Sequence, residues 1–237
     1  VKATLKDYFH FYEQLREDEL SHSSFSKIGT AKRWVEKHGL LNLDVKKITH
    51  TEIELLRKHS LSSLKYSTVR EYLRTLSSVL DEAVFDDRIQ YNPFTKVRKM
   101  IIDEDPTENE DTNPFTQDEL IRLLDVVHIK KTRDMIELLA WSGLRPGEMK
   151  ALAWEDLDLK KGILHVRYNI NRKGQLKSPK TSAGIRKIEL MPLALEVLKR
   201  QLEKTFMLPA IKETVHLKYK RTKQVVRRRV FLSRNNK

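Results

Sequence analysis

The stretch Ser142-Gly143-Leu144-Arg145-Pro146-Gly147-Glu148 sets an arginine between a helix-stopping glycine and a proline suited to the first turn of a helix. That spacing predicts a helix N-terminus at Arg145, where free backbone N–H groups and the positive end of the helix dipole gather. A guanidinium there makes a site for a phosphate or sulfate. Glu148, three residues on, is spaced to reach back and orient the arginine or cap the helix. The same spacing also suits a plain Arg–Glu pair on a surface turn, and spacing alone leaves both open. Further along, Ser178-Pro179-Lys180-Thr181 lies between β-forming segments, with Gly184 and Arg186 after it. A lysine near a hairpin tip is ordinarily just solvated. Projected into a nucleic-acid groove, its ammonium could give a proton to a departing alkoxide.

The elements that would hold these residues can be read from periodicity. Val69, Tyr72, Leu73, Leu76, Val79, Leu80, Ala83 and Val84 recur at helical spacing and predict an amphipathic helix over 67–86. Thr68 with Glu71 and Thr49 with Glu52 have capping-box spacing. Segments 4–19 and 26–38 predict two more helices, and Asn92-Pro93 closes a bundle of four or five. Thr116 to Glu119 is a further capping box, opening a helix to about Val127, and another helix follows over 131–142. Residues 163–170, 174–178 and 185–190 are expected to form one small antiparallel sheet, with a turn at Asn171-Arg-Lys-Gly174 and a helix from Leu193 to about Thr205. The basic run 218–229 is compatible with disorder. Trp34, Trp141 and Trp154 sit among apolar neighbours and are expected in cores.

Composition narrows the function classes. The 237 residues carry 46 Lys plus Arg against 33 Asp plus Glu, a net charge of +13. Residues 103–111 hold six acids and no base, and read as an exposed linker over 103–113 between domains 1–102 and 114–237. After residue 160 the only acids are Glu189, Glu196, Glu203 and Glu213, so a polyanion is the expected partner. Cysteine is absent, which excludes disulfides, Cys-ligated zinc and thiol catalysis within these residues. His128 and His165 read as structural or surface histidines, and no metal is assigned to them. No apolar run is long enough for a membrane span, and no charged-then-apolar leader opens the chain, so a cytoplasmic setting is expected.

Together the segments resemble the tyrosine recombinases, the phage-integrase family. LAWSGLRPGEMKALAWEDLDL is similar to that family's first arginine box, and SPKTSAGIRKIELMPLALEVL to its lysine hairpin and following helix. YSTVREYLRTLSSVLDEAVFDDRIQYNPF resembles the end of its helical core-binding domain. The resemblance implies a mainly helical α+β fold, with an N-terminal helical bundle of SAM-like core-binding type and a mixed catalytic domain. It implies site-specific DNA recombination by a phage or genomic-island integrase, in which a tyrosine attacks a DNA phosphate to give a 3′-phosphotyrosyl intermediate, with no metal and no cofactor. Arg145 would hold the scissile phosphate, Lys180 would protonate the leaving 5′ oxygen, and Glu148 would support Arg145. Two domains would enclose duplex DNA, one through Lys65, Ser67, Thr68 and Arg70, the other through Arg172, Lys173 and Lys177. The family works as tetramers on paired double-stranded DNA sites, with accessory DNA-bending or directionality proteins in some cases, in bacteria and phages.

The sequence departs from the family after the hairpin. No histidine is followed three residues later by arginine; His165 and His216 are followed at that distance by Tyr168 and Tyr219. Tyr168 and Tyr219 read as ordinary residues, so no nucleophile is assigned. The family continues for several helices beyond the position of Asn235-Asn236-Lys237, and the opening Val1-Lys2-Ala3 also fits a fragment, so an incomplete catalytic domain is expected. These residues alone are expected to bind DNA without cleaving it. A non-catalytic DNA-binding protein derived from an integrase is the contrasting reading, although it need not keep Arg145 and Lys180 together. A type IB topoisomerase shares the chemistry, but the helical part resembles integrases more.

Overall fold

In the computed structural model, which describes residues 3–98, 114–179, 182–217 and 219–232, the chain divides into two units, Val1–Glu104 and Asp105–Lys237. The architecture is α+β and mainly helical. The acidic segment 103–113 and Lys180 lie outside the described residues.

The first unit contains α1 (Leu5–Arg16), α2 (His22–Lys37), α3 (His50–Leu61) and α4 (Tyr66–Phe85). The apolar stripe of α4 is its core: Val69, Leu73, Leu76, Val79, Leu80 and Ala83 are all buried, packed with Leu5, Phe9, Val35 and Ile53. Trp34 enters this core with its one polar atom satisfied, donating from Nε1 to Ser60 Oγ at 3.0 Å. Asn92 closes the unit. Its amide donates to Ser77 O (3.0 Å) and Asp81 Oδ1 (2.6 Å), and its own oxygen caps the turn at Pro93 by accepting from Phe94 N. The Thr49–Glu52 capping box forms at the start of α3. The box expected at Thr68 does not. Helix α4 begins at Tyr66 after Lys65, and Val69 N already bonds Lys65 O at 3.2 Å, so Thr68 lies in the first turn. Glu71 instead takes a hydrogen bond from Lys27 Nζ at 2.8 Å. The chain turns straight from α3 into α4, which leaves Thr68 no extended conformation to cap from.

The second unit contains α5 (Gln117–Val126), α6 (Lys130–Ser142), α7 (Pro146–Ala151) and α8 (Pro192–Thr205), with strands β1 (Leu157–Asp158), β2 (Ile163–Val166), β3 (Asn169–Ile170), β4 (Leu176–Lys177), β5 (Arg186–Glu189), β6 (Ile211–His216) and β7 (Thr222–Arg227). Two sheets form where one was expected. The first is antiparallel, in the order β1-β2-β5; the second runs β3-β4-β6-β7, with β4 and β6 parallel. The apolar run 163–170 is divided between them at Arg167 and Tyr168. Arg167 turns toward Asp156, and the Tyr168 ring lies under the Arg227 guanidinium at 4.5 Å.

Within the basic run, Thr222–Arg227 form β7, which folds back on β6 as ordered structure. Arg227 and Arg229 are buried. Arg227 pairs with buried Asp156 and donates to Ala151 O at 3.0 Å; Arg229 donates to Glu213 Oε1 at 2.7 and 3.1 Å. Backbone bonds from Trp154 N to Arg228 O and from Val230 N to Leu152 O close the contact. Val215 and Val225 supply the apolar face, and acids distant in sequence neutralise the cations. Asp156→Ala leaves Arg227 buried without its counter-ion, and is expected to lower the stability of the second unit by about 3–5 kcal/mol in denaturant unfolding. Arg167→Ala, removing a half-exposed cation 3.7 Å from the same carboxylate, is expected to cost under about 1 kcal/mol.

Candidate functional site

Helix α6 stops at Gly143, whose φ of 64° is left-handed and whose N–H returns to Leu139 O at 3.1 Å. Leu144 then enters the core, and Arg145 is extended before Pro146 opens α7. Gly147 is required by packing: a Cβ there would sit 2.7 Å from Ile170 O and overlap the Asn169 side chain. A side-chain-free position thus lets β3 press against the start of α7.

Glu148 is buried beneath this turn and its carboxylate is saturated. Oε2 accepts from Arg145 N (2.9 Å) and Arg186 Nη2 (2.8 Å); Oε1 accepts from Arg145 Nη1 (3.0 Å) and Arg186 Nη1 (3.0 Å). Burial alone would raise the carboxyl. The Arg186 guanidinium, the Arg145 backbone N–H and the Arg145 side chain outweigh it and bring the pKa down from 4.5 to about 2. The two arginines are held differently. Arg186, at the start of β5, grips both oxygens and is 30% exposed in its side chain; Arg145 is tethered through one nitrogen and is 75% exposed. Arg145 therefore keeps free N–H donors facing solvent, in a position fixed from below.

The other sequence-derived positions are not all brought together. Arg172 and Lys173 are exposed in the turn before β4, which Asn171 Oδ1 holds by accepting from Lys173 N and Gln175 N at 3.0 Å. Lys177 is half-buried in β4 between Asn169 and His216. In the first unit, Lys65 is exposed at the head of α4. Ser67 and Thr68 line a shallow groove with Lys27, Thr30 and Glu71, while Arg70 lines another with Arg57, Tyr66, Arg74 and Arg98. Ser67 and Thr68 thus line one groove beside α4 and Arg70 another, with Lys65 at the head of the helix. Arg74, one turn from Arg70, was available to helical periodicity; Arg57 and Arg98 come from other elements and were not. Among the described residues, no cluster of His, Asp and Glu could hold a metal ion, and no helix is long and apolar enough to cross a membrane.

Residues 113–235 match the family model described as the phage integrase family. The chain belongs to the phage integrase family of tyrosine recombinases. It is 37% identical over 141 residues to the prophage integrase IntR of Escherichia coli K12, an alignment covering 58% of this chain and 32% of that one. Among solved structures, the Tn1549 transposon integrase in complex with transposon right end DNA shares the fold at a TM-score of 0.77 and 20% identity, covering 99% of this chain and 72% of that one. A lambda integrase tetramer bound to a Holliday junction matches at a TM-score of 0.60 and 22% identity, covering 85% and 57%. The chain spans 32–53% of the length of the first curated relatives it matches.

Glu148→Gln is expected to lower the stability of this integrase unit by about 3 kcal/mol at neutral pH, the scale of a carboxyl moved from 4.5 to about 2. The folded-state pKa is depressed, so the stabilisation is complete above 4.5 and is lost as pH falls through about 2. Urea unfolding at a series of pH values should show wild type and variant converging over that window. A pH-independent gap would contradict the assignment of Glu148 as a buried anion.

Proposed function

We propose that this chain is the DNA-recognising and phosphate-binding part of a site-specific recombinase that acts on double-stranded DNA. In this reading residues 1–102 are the core-binding domain, 103–113 the linker, and 114–237 the catalytic domain without its second arginine box or tyrosine. Arg145 binds the scissile phosphate and stabilises its charge as a tyrosine oxygen bonds to phosphorus and the P–O5′ bond breaks. Lys180 delivers a proton to the departing 5′ oxygen, which leaves as a hydroxyl. Lys65, Ser67, Thr68, Arg70, Arg172, Lys173 and Lys177 contact the duplex, chiefly at phosphates. The whole protein works in the cytoplasm of a bacterium as a tetramer on paired sites, with accessory DNA-bending or directionality proteins.

The observation that carries this reading is Arg145: an exposed guanidinium with free donors, tethered to a saturated buried carboxylate, in a unit that matches the family model. The DNA-bound state of the integrases sharing the fold adds support.

The test is binding of the 237-residue chain to a mixed-sequence duplex at several salt concentrations, with denaturing gels to detect a covalent adduct on a nicked duplex. Affinity is expected to fall by about 10³-fold or more between about 50 and 200 mM salt. Arg145→Ala should weaken binding about tenfold, the scale of a charge-assisted phosphate contact. No adduct should form. Salt-independent binding would contradict the polyanion reading, and a covalent adduct would contradict the assignment of the chemistry to residues not present here.

A further inference from the structure

We propose that Arg186 is a positioning residue: by gripping both oxygens of Glu148 from β5, it fixes the carboxylate that tethers Arg145 and so sets where the Arg145 guanidinium meets phosphate. The inference rests on the reading of Arg145 as a phosphate ligand and names a residue that this reading leaves without a role.

Three features of the geometry point to it. The Arg186 bonds, at 3.0 and 2.8 Å, form a two-pronged contact, so the carboxylate plane is fixed as well as its distance. Arg145 has one side-chain bond, to the same Oε1, so its orientation follows that plane. The Glu148 oxygens accept four hydrogen bonds, two of them from Arg186, and removing those would leave a buried carboxylate half-satisfied. Such a group can recover by protonating or by drawing the Arg145 guanidinium fully onto itself. Either change withdraws donors from phosphate. Arg186 cannot easily serve as a ligand itself, because both its terminal nitrogens already face Glu148 and its side chain is largely covered.

Charge accounting supports the same division of labour. Two guanidinium groups share one carboxylate, leaving a net charge of +1 at the turn. Arg186 neutralises the anion, so Arg145's charge remains for an external ligand. With Arg186 removed, the turn holds a neutral Arg145–Glu148 pair.

A double-variant cycle in the 237-residue chain tests this, using duplex affinity at low salt and neutral pH as the readout. Arg186→Gln is expected to weaken binding about as much as Arg145→Ala, roughly tenfold. In the Arg145→Ala background, Arg186→Lys, which keeps a cation beside Glu148, should cost nothing more, because it acts only through Arg145. Arg186→Lys keeps a cation but cannot bridge both oxygens. It should fall between wild type and Arg186→Gln, and it serves as the test where the glutamine variant fails to fold. The affinity of Arg186→Gln should also gain a pH dependence in the ordinary carboxylate range that wild type lacks.

Multiplicative losses in the double variant would overturn the proposal in favour of direct contact by Arg186. Undiminished affinity in a folded Arg186→Gln or Arg186→Lys protein would also overturn it. Failure of the underlying reading has a different signature: Arg145→Ala would then bind DNA as wild type does, and the role of Arg186 would fall with it.

Discussion

The Glu148 carboxylate is an anion buried beneath the turn it organises, and a buried anion is tolerated only when its lone pairs are filled. Here they are filled by the backbone N–H of Arg145, by its guanidinium, and by that of Arg186, 38 residues beyond Glu148. One set of bonds therefore fixes the start of α7, the position of β5 beside it, and the tether on Arg145. The neighbouring sequence serves the same constraint. Gly143 supplies the left-handed stop, Pro146 starts the next turn without needing an N–H partner, and Gly147 admits β3. Replacing any of these with a bulkier or less compliant residue would move the carboxylate as well as the backbone.

The same physics recurs through the second unit. Asp156 takes Arg227, Glu213 takes Arg229, and Asp134 on α6 takes Arg200 and Lys204 from α8 at 3.0 and 2.9 Å. These pairs tie β7 to the segment after α7, and α8 to α6. Each such pair takes an acid together with its cation, so the surplus of cations stays at the surface, where Arg145, Arg172 and Lys173 are among the exposed ones. Net charge points to a polyanion partner, and the exposed subset determines where one could bind.

What was legible in the sequence depended on local physics. The stripe of α4, the boxes at Thr49 and Thr116, and the Gly143–Pro146 punctuation are all set within a few residues, and each has its counterpart in the structure. What was not legible depended on partners far along the chain. Nothing near Arg227 announces that Asp156 will bury it, so a basic run read as compatible with disorder is a strand. Strand pairing divides 163–170 between two sheets, and at the division the Tyr168 ring lies under Arg227 from β7, distant in sequence. Ser67, Thr68 and Arg70 are close in sequence, yet the different segments packed beside α4 place them in two grooves, one shared with Lys27 and Thr30 and the other with Arg57 and Arg98. Arg186 was visible as a residue; its grip on Glu148 is a register effect between β5 and α7 that spacing cannot reveal.

Glu148 is held as an anion between Arg145 and Arg186, and its own titration measures this most directly. Carbon-detected NMR of the side-chain carboxyl, assigned by comparison with Glu148→Gln, should give a midpoint near 2, far below the ordinary glutamate value of 4.5. A midpoint at or above 4.5 would mean that burial prevails over the two guanidinium groups, and that the arginine turn is not organised by this carboxylate.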